Sequence, residues 1–372
     1  NLDCGSCHRP DPGGASFLPL RMEEDCRECH RLNFEPKAPT REVPHGKPLQ
    51  AILALNDFYA GVALRGGFDD PGAPAAVRRR AGSPLPADAR TAEALGTRRE
   101  GNGILIDGDG LVLTIGYLIV EAETVWLLSN EGDAIPAHVV AYDHNTGFGL
   151  VQALAKISSP PIPLGNSQTA EAGDAVIMAG HGGMRHALSA WIATKREFAG
   201  YWEYLLDEAI FTSPPHPNWG GAALLDRDGS LLGIGSLFVQ QVDENETQTD
   251  GNMIVPIELL DPILDDLLKF GRSQHPQHPW LGAYTAESNG QLLVAGLAED
   301  GPAESADIQV GDIILAVAGE SVSDLSSMLR KTWSLGSAGV EVPLTLLRND
   351  EISNVSVTSS DRMLYMKTPK LH

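Results

Sequence analysis

All four cysteines of this 372-residue chain sit in two copies of one motif, Cys4-Gly-Ser-Cys7-His8 and Cys26-Arg-Glu-Cys29-His30. Cys-x-x-Cys-His is the pattern for covalent attachment of a c-type haem. The two thiols add to the haem vinyl groups, and the adjacent histidine becomes the proximal iron ligand. A zinc site or a pair of disulfides also uses Cys-x-x-Cys pairs, but neither needs histidine at the next position both times. The expectation is two covalently bound haem c groups on Cys4, Cys7, Cys26 and Cys29, with His8 and His30 on the irons. His45 and Met22 are the candidate distal ligands, and Met22 carries the competing reading of a side chain packed on haem. A methionine ligand raises the reduction potential relative to histidine.

Residues 1–48 hold few apolar side chains, too few for so short a piece to fold on its own core. Two haems supply the missing apolar surface, so a small haem-built N-terminal domain is expected. Haem c is attached outside the cytoplasm, which points to a bacterial periplasm. No signal peptide is visible in the sequence; either Asn1 follows a cleavage site or a membrane anchor lies upstream.

Asp and Glu number 49 against 27 Lys and Arg, a formal charge of −22. A field of that sign repels nucleic acid and anionic membranes, so no nucleic-acid partner is expected. No apolar run is long enough to span a bilayer. Leu49, Ile52, Leu53, Tyr59 and Ala60 recur at helical spacing, which predicts a helix over 47–65 that Gly66-Gly67 ends. Residues 49–98 are read as that helix and a Pro-, Ala- and Gly-rich linker carrying Arg78-Arg79-Arg80.

From Gly101 the texture changes to short alternating segments bounded by turn residues. Strands are expected around Ile104, Leu111–Thr114, Thr124–Leu128, Ala137–Tyr142, Gly149–Ala153, Ala175–Ala179 and Leu231–Phe238. A helix is expected over Val255–Phe270, closed by Gly271. Many short strands at this spacing suggest a barrel or sandwich.

Four motifs carry a resemblance. They are Gly101-x-Gly followed by Asp-Gly-x-x-Leu-Thr114, Asp143-x-x-Thr146, Gly220-Gly221, and Asp228-Gly-x-x-x-Gly-Ile234. In these the chain resembles the HtrA/DegP group of trypsin-like serine proteases, which implies a double β-barrel over 99–272. The resemblance places the family's general base at Tyr117, its orienting aspartate at Gly147 and its nucleophile at Trp219. Pro217 stands where the family takes an oxyanion-hole N–H, and proline has none. Ser213 and His216 lie nearby in sequence without a third group. His181 and His186 flank Met184 on an expected turn, and His275 and His278 fall in an expected linker.

A PDZ-like pattern follows in Trp280-Leu-Gly-Ala283, Gly301-Pro-Ala-Glu-Ser-Ala306 and Gly311-Asp-Ile-Ile-Leu315. It implies a PDZ domain over 273–360 and a tail over 361–372. PDZ domains add a peptide strand to a sheet edge and hold its terminal carboxylate on backbone N–H groups. Leu281, Gly282 and Ala283 are the candidate carboxylate loop for a C-terminal peptide.

The fold class expected is therefore mostly β, with a haem domain, a trypsin-like double barrel and a PDZ domain. The function expected is dihaem electron transfer to a redox partner protein or complex, with the protease-like half an inactive docking scaffold. The alternative is a peptide-binding or assembly protein, chaperone-like or magnetosome-like in domain content, with structural or redox-sensing haems. An active serine protease ranks last.

Overall fold

The computed structural model describes residues 89–91, 95, 99–122, 124–130, 132–182, 186–242, 248–288 and 290–367. The haem-attachment residues Cys4, Cys7, His8, Cys26, Cys29 and His30, the candidate ligands Met22 and His45, and the expected helix over 47–65 lie outside them.

The described chain is mostly β, as expected. Strands β1 (Ile104–Leu105), β2 (Leu111–Ile115), β3 (Val125–Leu128), β4 (Ala134–Tyr142) and β5 (Phe148–Ala153) form one sheet in the order β1-β2-β5-β4-β3. The Asp-Gly turn between β1 and β2 is built by Asp107, whose Oδ1 accepts from the backbone N–H of Asp109 (2.9 Å) and Leu111 (2.8 Å). An aspartate that satisfies two turn N–H groups supplies locally what a strand ladder cannot. Asp226 repeats the device, accepting from the N–H of Asp228 and Ser230.

Strands β6 (Ala175–Ala179), β7 (Ala187–Gly200), β8 (Tyr204–Ser213), β9 (Ala223–Leu225), β10 (Leu231–Val242) and β11 (Gln248–Pro256) close a barrel in the order β10-β11-β8-β7-β6-β9. Leu113, Ile115, Phe148, Leu150, Phe211, Leu231, Ile234 and Met253 are buried in one core cluster that joins the two halves. Each of these side chains stabilises the fold by roughly 1.5–3 kcal/mol relative to its exposed state.

Helix α1 runs over Asp261–Phe270 with Pro262 in its first turn and Gly271 as a left-handed cap at φ 72°. It is shorter than the helix expected over Val255–Phe270. Val255 and Pro256 pair with β10 instead, and a proline is accepted in a helix only at its first turn. Among the described residues no helix is long and apolar enough to cross a membrane.

The last sheet comprises β12 (Ala283–Ser288), β13 (Gln291–Leu297), β14 (Ile313–Val317), β15 (Glu320–Ser321), β16 (Glu341–Arg348) and β17 (Glu351–Thr358). Its main path is β12-β13-β14-β16-β17, which leaves β12 at an edge. A short helix α2 (Pro302–Ser305) and helix α3 (Leu325–Ser334) accompany it. Asp324 caps α3 by accepting from the N–H of Ser327 at 2.7 Å. Beyond β17, Arg362–Tyr365 forms a 3₁₀ turn that docks inward. Arg362 Nη1 donates to the Trp202 carbonyl at 2.7 Å, and the Tyr365 ring lies 4.7 Å from Trp280.

The Gly-Asp-Ile-Ile-Leu run has a physical explanation. Asp312 is buried, accepts from Arg348 Nε (2.6 Å) and Nη2 (2.7 Å), and accepts from the N–H of Gln309 at 2.8 Å. Arg348 is partly exposed and also contacts Asp307, so it keeps a partner when Asp312 is removed. Asp312→Ala is therefore expected to cost about 1–2 kcal/mol from the lost charged hydrogen bonds, read as a lowered urea midpoint at unchanged slope.

Candidate functional sites

The cleft of the trypsin-like half, where the resemblance places the family's catalytic positions, is assembled by a clamp of motif residues. Asn102 donates its backbone N–H to the Gly220 carbonyl at 2.8 Å, and its side chain donates to Asn218 O (2.8 Å) and Gly220 O (3.0 Å). Thr114 Oγ1 donates to Asn102 O at 2.7 Å. The Asp143-x-x-Thr146 turn closes through Asp143 Oδ2, which accepts from both the N–H and the hydroxyl of Thr146. The Asn102 and Thr114 bonds join the Gly-Asn-Gly, Leu-Thr and Gly-Gly segments that carried the resemblance, and the Asp-x-x-Thr turn closes on itself.

Tyr117 follows β2 and donates its hydroxyl to the Ser236 carbonyl at 2.9 Å. Burial pushes this phenol far above its ordinary range, with a contact from Trp219 opposing. It keeps its proton at neutral pH and is no general base. Trp219 stacks obliquely on Phe238 at 5.6 Å. Gly147 lies at φ 79°, a left-handed conformation that disfavours a side chain. A Cβ there would stand 3.1 Å from the Tyr204 hydroxyl. No proton-transfer pair exists among these three positions.

Ser213 and His216 do not meet either. Ser213 Oγ donates to Asp250 O at 3.2 Å. His216 is buried with its Nδ1 accepting from the N–H of Asn218 (3.1 Å) and its Nε2 against His186 O (2.9 Å). Both ring nitrogens are thus engaged. His181 and His186 are exposed, and among the described residues no three His, Cys, Asp or Glu side chains are grouped to hold a metal. His275 and His278 are both exposed, and the His278 ring stacks on Trp333 at 4.0 Å.

The second site is the PDZ carboxylate loop, and the structure brings Leu281, Gly282 and Ala283 together on one anion. All three backbone N–H groups donate to the carboxylate of Glu203, at the turn between β7 and β8. Oε1 accepts from Gly282 at 2.7 Å and from Leu281 and Ala283 at 3.2 Å, and Oε2 accepts from Leu281 at 2.9 Å. The loop is held open for this by Gly282 at φ 73° and by bonds from Ala298 N to Gly282 O and Ala303 N to Leu281 O. Burial pushes the Glu203 carboxyl up to about 7, while the three N–H bonds and the Arg362 charge pull the other way. Glu203 was not singled out from the sequence. The apolar run Ala190-Trp191-Ile192 on β7 carries no apolar–polar alternation that would have revealed its hairpin.

The geometry agrees with what the chain matches. Residues 101–234 match the trypsin-like peptidase domain family, and residues 279–358 match the PDZ domain family. A probable periplasmic serine endoprotease DegP-like of Halomonas elongata is 27% identical over 71% of this chain and 57% of its own length. A protein of the same name from Pseudomonas putida is 26% identical over 69% of this chain and 55% of its own. The chain thus spans little more than half the length of these relatives. Serine endoprotease DegS of Salmonella typhimurium is 26% identical over 70% of this chain and 76% of its own. Among solved structures, an HtrA-type protease AlgW with decapeptide aligns at TM-score 0.46 and 19% identity, covering 73% of this chain and 83% of that one.

These findings correct the expected function. The relatives are named serine endoproteases, which overturns the reading of the chain as a dihaem electron carrier rather than a protease, and of its protease-like half as an inactive scaffold. The chain carries a trypsin-like domain of the HtrA/DegP-like kind followed by a PDZ domain.

Proposed function

We propose that this chain is an extracytoplasmic peptide-recognition protein of the HtrA/DegP-like kind, whose PDZ domain takes the free C-terminus of an extended polypeptide. The observation that carries the reading is the convergence of the Leu281, Gly282 and Ala283 N–H groups on a single carboxylate. Three backbone donors on one anion make the seat that a terminal carboxylate needs. The adjacent strand β12 keeps an edge to which a peptide strand can add. The periplasmic names of the relatives support the compartment. Peptides ending in an apolar residue with a free carboxylate are expected to bind the full chain at least about tenfold more tightly than their C-terminal amides. Fluorescence anisotropy measures this, and equal affinity for acid and amide defeats the reading.

Tyr117, Gly147 and Trp219 take no part in peptide hydrolysis in this proposal. An indole is no acyl nucleophile, and a phenol that holds its proton cannot activate one. Any hydrolysis by the chain uses a nucleophile elsewhere. Trp219→Ser alone is accordingly expected to leave peptidase activity at the wild-type level, since a serine without its base gains no triad. A gain in turnover on unfolded protein, with fluorophosphonate labelling of residue 219, contradicts this.

We further propose that Cys4, Cys7, Cys26 and Cys29 hold two haem c groups with His8 and His30 as iron ligands, His45 and Met22 being the candidate distal ligands. The paired motifs support this reading. Intact-mass measurement of protein from a host that attaches haem c is expected to show two porphyrin additions, and none with the four cysteines changed to alanine.

A further inference from the structure

The carboxylate seat of the PDZ domain is filled from within the chain. Glu203 is not a passing neighbour of that loop. Its side chain is buried, and its carboxylate takes every N–H that the loop presents. The backbone at Glu203 sits at φ 61°, a left-handed conformation that a non-glycine residue adopts only when its surroundings hold it.

The strands on either side of the turn complete the mimicry. Ala199 on β7 and Leu205 on β8 pack against the PDZ core cluster, which includes Leu281, Ala283, Met328 and Leu329. Carboxylate and apolar side chains therefore arrive together, as they do at the end of a peptide. At the rim, Arg330 of α3 pairs with Glu197 of β7 and Asp207 of β8. Tyr201 meets Tyr284 edge-on at 6.4 Å.

One contact of a peptide ligand is missing. The hairpin forms no ladder with β12, which pairs only with β13 among the described strands. The internal occupant thus leaves unused the main-chain bonds that a strand-adding peptide can make.

We propose that the β7–β8 hairpin is an internal ligand of the PDZ domain, with Glu203 in the seat of a peptide's terminal carboxylate. A peptide with a free C-terminus binds by displacing the hairpin. This rests on the peptide-recognition reading above and adds its regulation. Because the PDZ groove is competent only in the released fraction, apparent affinity is the intrinsic affinity reduced by that fraction.

The test compares binding of a fluorescent peptide with an apolar C-terminal residue and free carboxylate to the full wild-type chain, Glu203→Ala and Arg330→Ala. Arg330 is half-exposed and its loss strands no buried charge, so that variant stays informative if Glu203→Ala folds poorly. Both variants are expected to bind roughly tenfold or more tightly than wild type. In wild type the peptide is expected to raise amide exchange of Gly200–Leu205 while protecting β12. If all three proteins bind with equal affinity and the exchange of 200–205 stays unchanged, the internal-ligand proposal falls and the peptide-recognition reading stands. If the folded variants bind neither the acid nor the amide peptide, the peptide-recognition reading itself falls, and the proposal with it.

Discussion

Gly221→Ala is expected to destabilise the trypsin-like domain by roughly 4 kcal/mol, a large effect for one added methyl group. Gly221 lies at φ 75°, where a Cβ costs about 1 kcal/mol from backbone sterics alone. That Cβ would also stand 2.0 Å from the Asn102 carbonyl oxygen and 2.8 Å from Thr114 Oγ1. Neither can move cheaply. Asn102 O accepts the Thr114 hydroxyl bond, and Asn102 N–H is tied to Gly220 O. The Gly221 N–H in turn donates to Gly235 O at 2.8 Å. Gly229→Ala is the control, because Gly229 has a similar φ of 85° but nothing within 4 Å of an added Cβ. It is expected to cost only about 1 kcal/mol. Thermal unfolding separates the two: Gly221→Ala is expected to lower Tm by about 10 °C and Gly229→Ala by a few degrees. Equal shifts would show that the clamp yields.

The same clamp explains why the trypsin-like half was legible in a chain that matches its relatives at 27% identity or less in the comparisons above. Gly101-Asn102-Gly103, Thr114, Asp143, Thr146, Gly220 and Gly221 are the residues that hold four loops at fixed distances. Each is short or glycine because backbone passes close to backbone, so the pattern survives in the sequence. Tyr117 and Trp219 sit among them without closing these turns, whereas Gly147, at φ 79° and donating its N–H to Asp143 O, is part of the Asp143 turn itself.

What the sequence did not disclose is long-range. Strands β7 and β8 together run from Ala187 to Ser213 with only the Tyr201–Glu203 turn between them, and no Asn-Gly or Asp-Gly pair marks that turn. The positive φ at Glu203 falls on a residue that gives no hint of it. Nor can spacing reveal that a glutamate at 203 answers N–H groups at 281–283, because that contact depends on how the barrel meets the PDZ sheet. The helix expected from Val255 began late for a simpler reason: Val255 and Pro256 were already committed to β11. Trp280-Leu-Gly-Ala283 marked the loop as a candidate, but not the Glu203 carboxylate that its three N–H groups meet.

That occupant makes the second large prediction. Relative to Glu203→Gln, the wild-type chain is expected to lose about 3 kcal/mol of stability as pH rises from about 4.5 to about 7. The unfolded carboxyl titrates near its ordinary value of 4.5, and burial raises it to about 7 in the folded chain. Between those values the folded state keeps a proton that the unfolded state has released, so protonation favours folding. The contribution is fully present below 4.5 and is lost as pH climbs through 7. Glutamine stays neutral throughout, and any fixed cost of its amide facing three N–H donors shifts the offset without changing the slope. Tyr284 on β12, on which the Glu203 charge acts, is pushed up by burial and stays neutral across this window. Urea midpoints of the two proteins at half-unit pH steps give the difference directly. A stability difference that is flat between pH 4.5 and 7 would mean that the three N–H donors and Arg362 fully offset the burial, and that Glu203 holds the seat as a carboxylate throughout.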